Sequence, residues 1–232
     1  MAALPEPSIL KSMDKPTKQA SDDAAPRIVP VFPLPNTVFF PLTSLPLHVF
    51  EQRYREMVRD VAGENGRIAV ALAAGDEFHA VGTVGRIRDL ELLDDGRYNL
   101  RLEGLDRVKM TEVPCDTAYR QVLVEARPEY LGIDDPAEVE RAKLALLAEL
   151  GLLKNLADPG SPTILLHQDV PLEVAINTAC AELPVLPGLR QELLEESDLN
   201  RRQARLTEHL AMVIDAISQL TARRGDRESL LN

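Results

Sequence analysis

The sequence predicts an α+β protein in which a small β-barrel carrying one or two helices is followed by an all-helical bundle. Proline-punctuated apolar runs crowd the stretch from Ile28 to Val49, and Asp94-Asp95-Gly96 separates two long alternating segments. After Asp134-Asp135-Pro136 the apolar period changes from two to about 3.6 residues. The expected limits are a disordered N-terminal arm over 1–26, the barrel over 27–129, the helical bundle over 130–222 and a flexible tail over 223–232.

Residues 1–26 repeat Pro, Ser and Ala without hydrophobic periodicity, so burial cannot offset their ordering entropy. Ile28–Leu34, Val38–Phe40 and Leu45–Val49 follow as short strands bounded by prolines, which lack a ladder donor and suit edges and corners. Phe50, Tyr54, Met57, Val58 and Val61 recur at helical spacing, with Glu51 and Arg55 four apart on the outer face and Gly63 as the stop. Ile68–Ala73 is a continuous apolar strand, followed by a loop through Gly75-Asp76-Glu77. Val81–Leu93 and Tyr98–Val113 then form a hairpin about Asp94-Asp95-Gly96. Gly82, Gly85 and Gly104 inside its strands mark bends or bulges that curl a sheet closed, and Tyr119–Arg127 supplies the last strand.

In the second half, Val139, Ala142, Leu146, Leu147 and Leu150 form the apolar side of a helix from Ala137 towards Leu156, broken or merely weakened at Gly151. A second helix covers Pro171–Leu183 and stops before Pro184; a short third covers Pro187–Glu195. Ser197 or Asp198 caps the last helix, whose stripe is Leu199, Leu206, Leu210, Val213, Ile217 and Leu220.

Composition narrows the function. With 45% hydrophobic and 27% charged residues in 232, the chain has an ordinary globular balance. No apolar run is long enough to span a membrane, and the first residues lack a secretory pattern, so a cytoplasmic protein without a membrane association is expected. Cys115 and Cys180 stand far apart and read as two reduced, partly buried thiols. A net charge of −11 repels phosphate backbones, which makes nucleic acid an improbable partner; the arginine groups Arg201, Arg202, Arg205 and Arg223, Arg224, Arg227 read as solvated helix faces.

The sequence offers no catalytic constellation, cofactor site or metal site. His48, His79, His167 and His209 are scattered without metal-ligand spacing, and His48 reads as a hydrogen-bonded structural histidine. No GxxxxGK[ST] phosphate loop and no GxSxG elbow occur. The acidic pairs Asp22-Asp23, Asp94-Asp95, Asp134-Asp135 and Glu195-Glu196 are explained by turns and helix ends.

Several runs together resemble the N-terminal domain of Lon proteases, a module that also occurs as a stand-alone bacterial protein and, in divergent form, in cereblon. They are Phe32-Pro33-Leu34, Val38-Phe39-Phe40-Pro41, Leu45-Pro46-Leu47-His48, and Phe50-Glu51 with Arg53-Tyr54. Val81-Gly82-Thr83, Asp95-Gly96-Arg97 and Glu103-Gly104-Leu105 with Arg107-Val108 extend the match. Leu186-Pro187 through Leu193-Leu194-Glu195, then Asp198 and Arg202, carry it through the helical half, so that it spans roughly 28–220. The resemblance implies a PUA-like barrel and a role in substrate recognition, without Lon's ATPase and serine–lysine protease regions.

Binding is therefore the expected function: a non-enzymatic module for exposed segments of client polypeptides, or one that docks onto protease or chaperone components of a proteostasis assembly. Phe39, Phe40 and Leu42 are the expected apolar contacts, with Glu51, Gln52, Arg53 and Arg55 as a polar rim. RNA binding through the PUA-like fold is one alternative. Another is a small-ligand sensor using the cleft between barrel and bundle, where Arg97, Arg101 and Arg107 would add charge. The sequence assigns neither a client nor an oligomeric state.

Overall fold

A computed structural model describes residues 26–62, 66–156, 169–182 and 185–229. Except for Pro26, the expected arm lies outside the described residues, as does the expected helix stop at Gly63.

The first half is a seven-stranded mixed sheet. Its strands are β1 (Arg27–Leu34), β2 (Ser44–Val49), β3 (Arg67–Ala74), β4 (Glu77–Phe78), β5 (Val81–Leu92), β6 (Tyr98–Val113) and β7 (Gln121–Ala126). Hydrogen bonding runs β1-β7-β6-β5-β3, and β3 pairs in parallel with β1, returning to the starting strand. Val31, Ala69, Val84, Val108 and Val122 are buried together among these strands.

β6 is long enough to serve two ladders. Val108–Val113 pairs with β7, whereas Tyr98–Glu103 pairs with β2 on one side and with β5 on the other. The change of partner falls at Gly104, beside a register shift at Val84/Gly85. Here residues 40–43 cross the sheet: Leu42 donates to the Gly104 carbonyl, and the Gly104 N–H donates to Thr43. A Cβ on Gly104 would lie 2.4 Å from the Phe40 carbonyl oxygen, so only glycine admits this approach. Beyond this corner β2, β6 and β5 form a three-stranded arm.

Helix α1 (Gln52–Val61) packs on one face of the arm through Tyr54, Met57, Val58 and Val61, which share a core with Leu100 and Leu102. Tyr54 also stacks on Phe32, with ring centroids 4.2 Å apart. The arm's turn was legible in the sequence. Gly96 has φ of 80° and donates to the Leu93 carbonyl, while Leu93 donates to Arg97, closing a short glycine-bearing hairpin loop.

Val38–Phe40 is not the strand that its composition suggested. Pro35 and Pro41 flank it, and the Phe39 carbonyl accepts from the Thr83 hydroxyl (2.6 Å) instead of a ladder amide. Glu77, expected in a loop, instead pairs briefly with β3 together with Phe78.

The second half contains α2 (Pro136–Leu156), α3 (Leu172–Glu182), α4 (Pro187–Glu195) and α5 (Leu199–Ser229). Gly151 does not interrupt α2, whose Leu146 and Leu150 are buried. Asp198 caps α5 by accepting from the Asn200 N–H at 2.9 Å. Leu199, Leu206 and Leu210 are buried, while Val213 and Ile217 are half-buried. The helix continues to Ser229, into the segment expected as a tail; residues 230–232 lie outside the described residues.

The two halves share a core. Phe40, Val38, Leu72 and Val81 from the sheet half pack with Ile176, Leu193, Leu194 and Leu206 from the helices. Two buried arginines sit at the same junction. Arg107 of β6 donates to the carbonyls of Arg127 and Pro128 beyond β7, to those of Leu194 and Glu195 at the end of α4, and to the Ser197 hydroxyl. Burial first, and the neighbouring Arg202 second, pull the Arg107 guanidinium down to about 10, so it remains charged at neutral pH.

Arg202 of α5 is fully buried. It donates to Asn177 (2.5 Å) and to the Glu196 carbonyl (2.6 Å), lies 2.5 Å from Glu129, and stands over the Phe40 ring. Asn177 in turn donates to Glu129. Helix α4 has no basic residue in its last turn; the three cations at its C-terminal carbonyls, Arg107, Arg202 and Arg127 (3.2 Å from the Glu195 carbonyl), arrive from other elements.

Arg107→Met and Arg202→Met should each lower unfolding free energy by about 3–5 kcal/mol in urea titration, by stranding buried acceptors or the Glu129 carboxylate. Arg202→Lys should recover only part of the loss, since an ammonium cannot span those partners in one plane. Gly104→Val should cost about 2–4 kcal/mol by forcing residues 40–43 off the sheet.

Burial pushes the Cys180 thiol up to about 12 from 9.0. The native state therefore holds this proton more tightly than the unfolded chain. The stabilisation is complete below pH 9 and lost as pH rises towards 12. At pH 10 the loss relative to Cys180→Ala is on the order of 1 kcal/mol, measurable as a converging urea midpoint. In the native protein a thiol reagent should modify the exposed Cys115 and leave Cys180 protected until unfolding.

Candidate functional site

Strand alternation divides the arm into two chemically distinct faces. Directly opposed residues share a face, so Leu45, Leu47 and Val49 of β2 align with Leu102, Leu100 and Tyr98 of β6. Across β6 they meet Ile87, Leu90 and Leu92 of β5. Helix α1 covers the centre of this apolar face, where Val49, Leu100 and Leu102 are buried. It leaves the β5 side uncovered: Leu90 is 42% exposed and Leu92 62%.

The opposite face is a polar lattice. Arg88 pairs with Glu103, Arg101 with Asp89, and Asn99 donates to Glu91. Arg97 donates to Asp95 and to His48 Nε2 (3.1 Å). Because a guanidinium only donates, Nε2 accepts and the His48 Nδ1–H donates to Asn99 Oδ1 (2.8 Å). The Arg97 amide and guanidinium hold the Asp95 carboxyl below its ordinary range, the backbone bond contributing most. His48 is thus held by hydrogen bonds at both ring nitrogens. Phe50 stacks on His48 and is 62% exposed. It precedes α1 and is not part of the helix's apolar stripe as its spacing suggested.

The expected contact residues are not brought together. Phe39 and Phe40 are 3% and 0% exposed, so neither is available at the surface. Phe39 packs in the core beneath α1, and Phe40 packs between the two halves. Leu42 is half exposed at φ of 62°, but β2 separates it from Glu51 by about 20 Å of extended chain. Glu51 and Arg53 are exposed and pair with each other (2.9 Å), while Gln52 donates to Glu56. Arg55 is only half-exposed, because its guanidinium lies over the hairpin turn, where a Cβ on Gly96 would meet it at 2.2 Å. It supports the turn and does not join the rim.

The cleft expected between the halves is occupied by Phe40, Arg107 and Arg202. Arg97 and Arg101, expected near it, lie instead on the arm's polar face. Among the described residues no cluster of His, Cys, Asp or Glu is placed to hold a metal, and no helix is long and apolar enough to cross a membrane.

What the sequence missed is the pair Leu90 and Leu92. Their alternation with Asp89 and Glu91 was visible, but their exposure depends on how far α1 reaches across the arm.

Residues 28–212 match the family model of the ATP-dependent protease La (LON) substrate-binding domain. Lon protease 2 of Syntrophobacter fumaroxidans is 27% identical over 217 residues, covering 88% of this chain and 27% of that protein. Lon protease of Anaeromyxobacter dehalogenans is 30% identical over 173 residues, covering 64% of this chain and 20% of that protein. The chain thus spans about a quarter of the length of such relatives or less. Among solved structures, a Lon N-terminal domain protein from Xanthomonas campestris superposes with a TM-score of 0.60 at 26% identity, covering 78% of this chain and 98% of that one. The N-terminal domain of the Mycobacterium avium complex Lon protease gives 0.61 at 19% identity, a likeness of fold. With the matched span taking in both the sheet and the helical half, the chain belongs to the Lon substrate-binding domain family.

Proposed function

We propose that this protein is a non-enzymatic recognition module that binds exposed segments of client polypeptides or docks onto a proteostasis assembly, acting in the cytoplasm. The observation that carries this reading is the arm: it presents three large apolar side chains, Phe50, Leu90 and Leu92, on a domain of a substrate-binding family. Exposed apolar side chains, Leu90 and Leu92 at the β5 edge and Phe50 beside His48 after β2, suit transient contact with unfolded chain. In this reading the sheet is a PUA-like barrel and α2–α5 are a helical bundle, their shared core holding the arm outward as a rigid support.

Glu51, Gln52 and Arg53 form the rim at the start of α1, and Leu42 offers a separate contact at the far end of β2. The net charge of −11 favours neutral or basic polypeptide over phosphate-bearing partners.

Fluorescence anisotropy with a reduced, carboxymethylated, permanently unfolded protein provides the test. Wild type should bind it in preference to its folded form. Leu92→Ser and Phe50→Ser should each weaken binding about three- to tenfold, consistent with about 1 kcal/mol for each partly exposed side chain, without moving the melting temperature. Arg53→Glu should change affinity in a salt-dependent way. Equal binding of folded and unfolded forms, or variants indistinguishable from wild type, would sink this reading.

A further inference from the structure

The arm has two outer edges, and the hydrogen-bond phase determines what each offers. Leu93 donates to the Arg97 carbonyl, so residues 93 and 97 are a bonded pair. Antiparallel ladders alternate bonded and non-bonded pairs. With Glu91 opposite Asn99 and Asp89 opposite Arg101, those residues turn their backbone groups towards β6. Leu90 and Leu92, opposite Leu100 and Tyr98, therefore turn their N–H and C=O groups outward. Across the register shift at Arg88, Ile87 stands opposite Leu102 and donates outward to the Gly66 carbonyl, which agrees with this assignment.

β3 pairs with β5 only as far as Arg86, and nothing among the described residues pairs with the edge from Arg88 to Leu92. All five of those residues are exposed.

The other edge is blunted. In the same phase Leu45, Leu47 and Val49 bond to β6, which leaves Ser44, Pro46 and His48 facing outward on β2. Pro46 has no N–H to offer, a recognised guard against strand addition. The β5 edge has no proline, and its charged residues are engaged on the polar face: Arg88 with Glu103, Asp89 with Arg101, Glu91 with Asn99.

We infer that the Leu90–Leu92 edge of β5 takes an extended polypeptide as an added antiparallel or parallel strand, one with apolar residues at alternate positions and basic residues at its ends. This rests on the client-binding reading above and specifies its chemistry. The two outward main-chain positions supply donors and acceptors irrespective of client sequence. Alternation follows because every second residue of the added strand extends the apolar face of Leu90, Leu92 and Leu100, and the intervening ones extend the polar face. Basic ends follow from charge: the chain carries −11, and the exposed Asp94 stands at the turn beside the edge.

The test uses the full chain with a short synthetic peptide alternating valine and threonine between terminal lysines. Its counterparts are the same peptide with N-methyl groups on alternate residues, in both phases, and one with glutamates replacing the lysines. The unmodified peptide should bind, and the Leu90 and Leu92 amides should exchange with solvent about tenfold more slowly in its presence. N-methylation in one phase should weaken binding at least tenfold, and the glutamate peptide should bind several-fold more weakly. Leu92→Pro, which removes an outward donor and no ladder bond, should also weaken it, with Leu92→Thr separating loss of donor from loss of side chain. If the unfolded protein binds while both N-methylated peptides bind like the parent and the two amides are unprotected, strand addition is overturned and the client reading survives. If neither unfolded protein nor peptide binds, both fall.

Discussion

Two buried guanidinium groups at the C-terminal end of one short helix, with Arg127 half-buried beside them, tie the sheet half to the helical half. The carbonyls at the end of α4 lack intrahelical partners, as at every helix end, and here they are buried. Arg107 from β6 and Arg202 from α5 supply the donors, and in doing so tie β6, the β7 exit, α3, α4 and α5 to one point. Neither cation could be left alone in that setting. Arg202 is balanced by Glu129, itself held by Asn177, whereas Arg107 is balanced by carbonyl dipoles and a hydroxyl. The orientation of the sheet half relative to the helical half follows from these directional bonds, with Phe40 filling the space they enclose.

Rigidity at the junction gives the arm a fixed base. β6 exchanges β7 for β2 at Gly104, where the crossing segment 40–43 lies directly on its backbone. Past that point α1 is the helix that covers the three strands among the described residues, and it has a single buried stripe of Tyr54, Met57, Val58 and Val61. One helix cannot cover both edges of a three-stranded sheet. On the side nearer β2, Leu45 and Leu47 are partly buried and the edge is blunted by Pro46, while the β5 side keeps exposed leucines and outward-facing main chain. Exposure of Leu90 and Leu92 is thus a geometric consequence of where the helix lies.

Much of the local structure was legible because its causes are local. Asp94-Asp95-Gly96 specified a turn needing a left-handed residue, and Gly96 adopts that conformation. Of the two cap candidates Ser197 and Asp198 it is Asp198 that caps α5, Pro187 marked a helix start, and the apolar periods specified α2 and α5. The errors share a physical origin. Val38–Phe40 looked like a strand by composition, but its carbonyl bonds to Thr83, more than forty residues away. Phe50 matched the helical stripe by spacing, yet the helix begins at Gln52 and the ring stacks on His48.

The sequence by itself determined the family, the order of most strands and helices, the turn chemistry and the absence of a phosphate loop from the chain. These depend on residue type and short spacing. Tertiary structure alone decided which apolar side chains meet solvent, because the same phenylalanine or leucine suits a core or a surface and only its neighbours distinguish the two. It buried Phe39 and Phe40, left Phe50, Leu90 and Leu92 exposed, and laid Arg55 over the hairpin turn. It also assigned Arg107 and Arg202, two arginines among many in the sequence, to the C-terminus of α4. Their partners are carbonyls, which every residue carries and which no sequence pattern can single out.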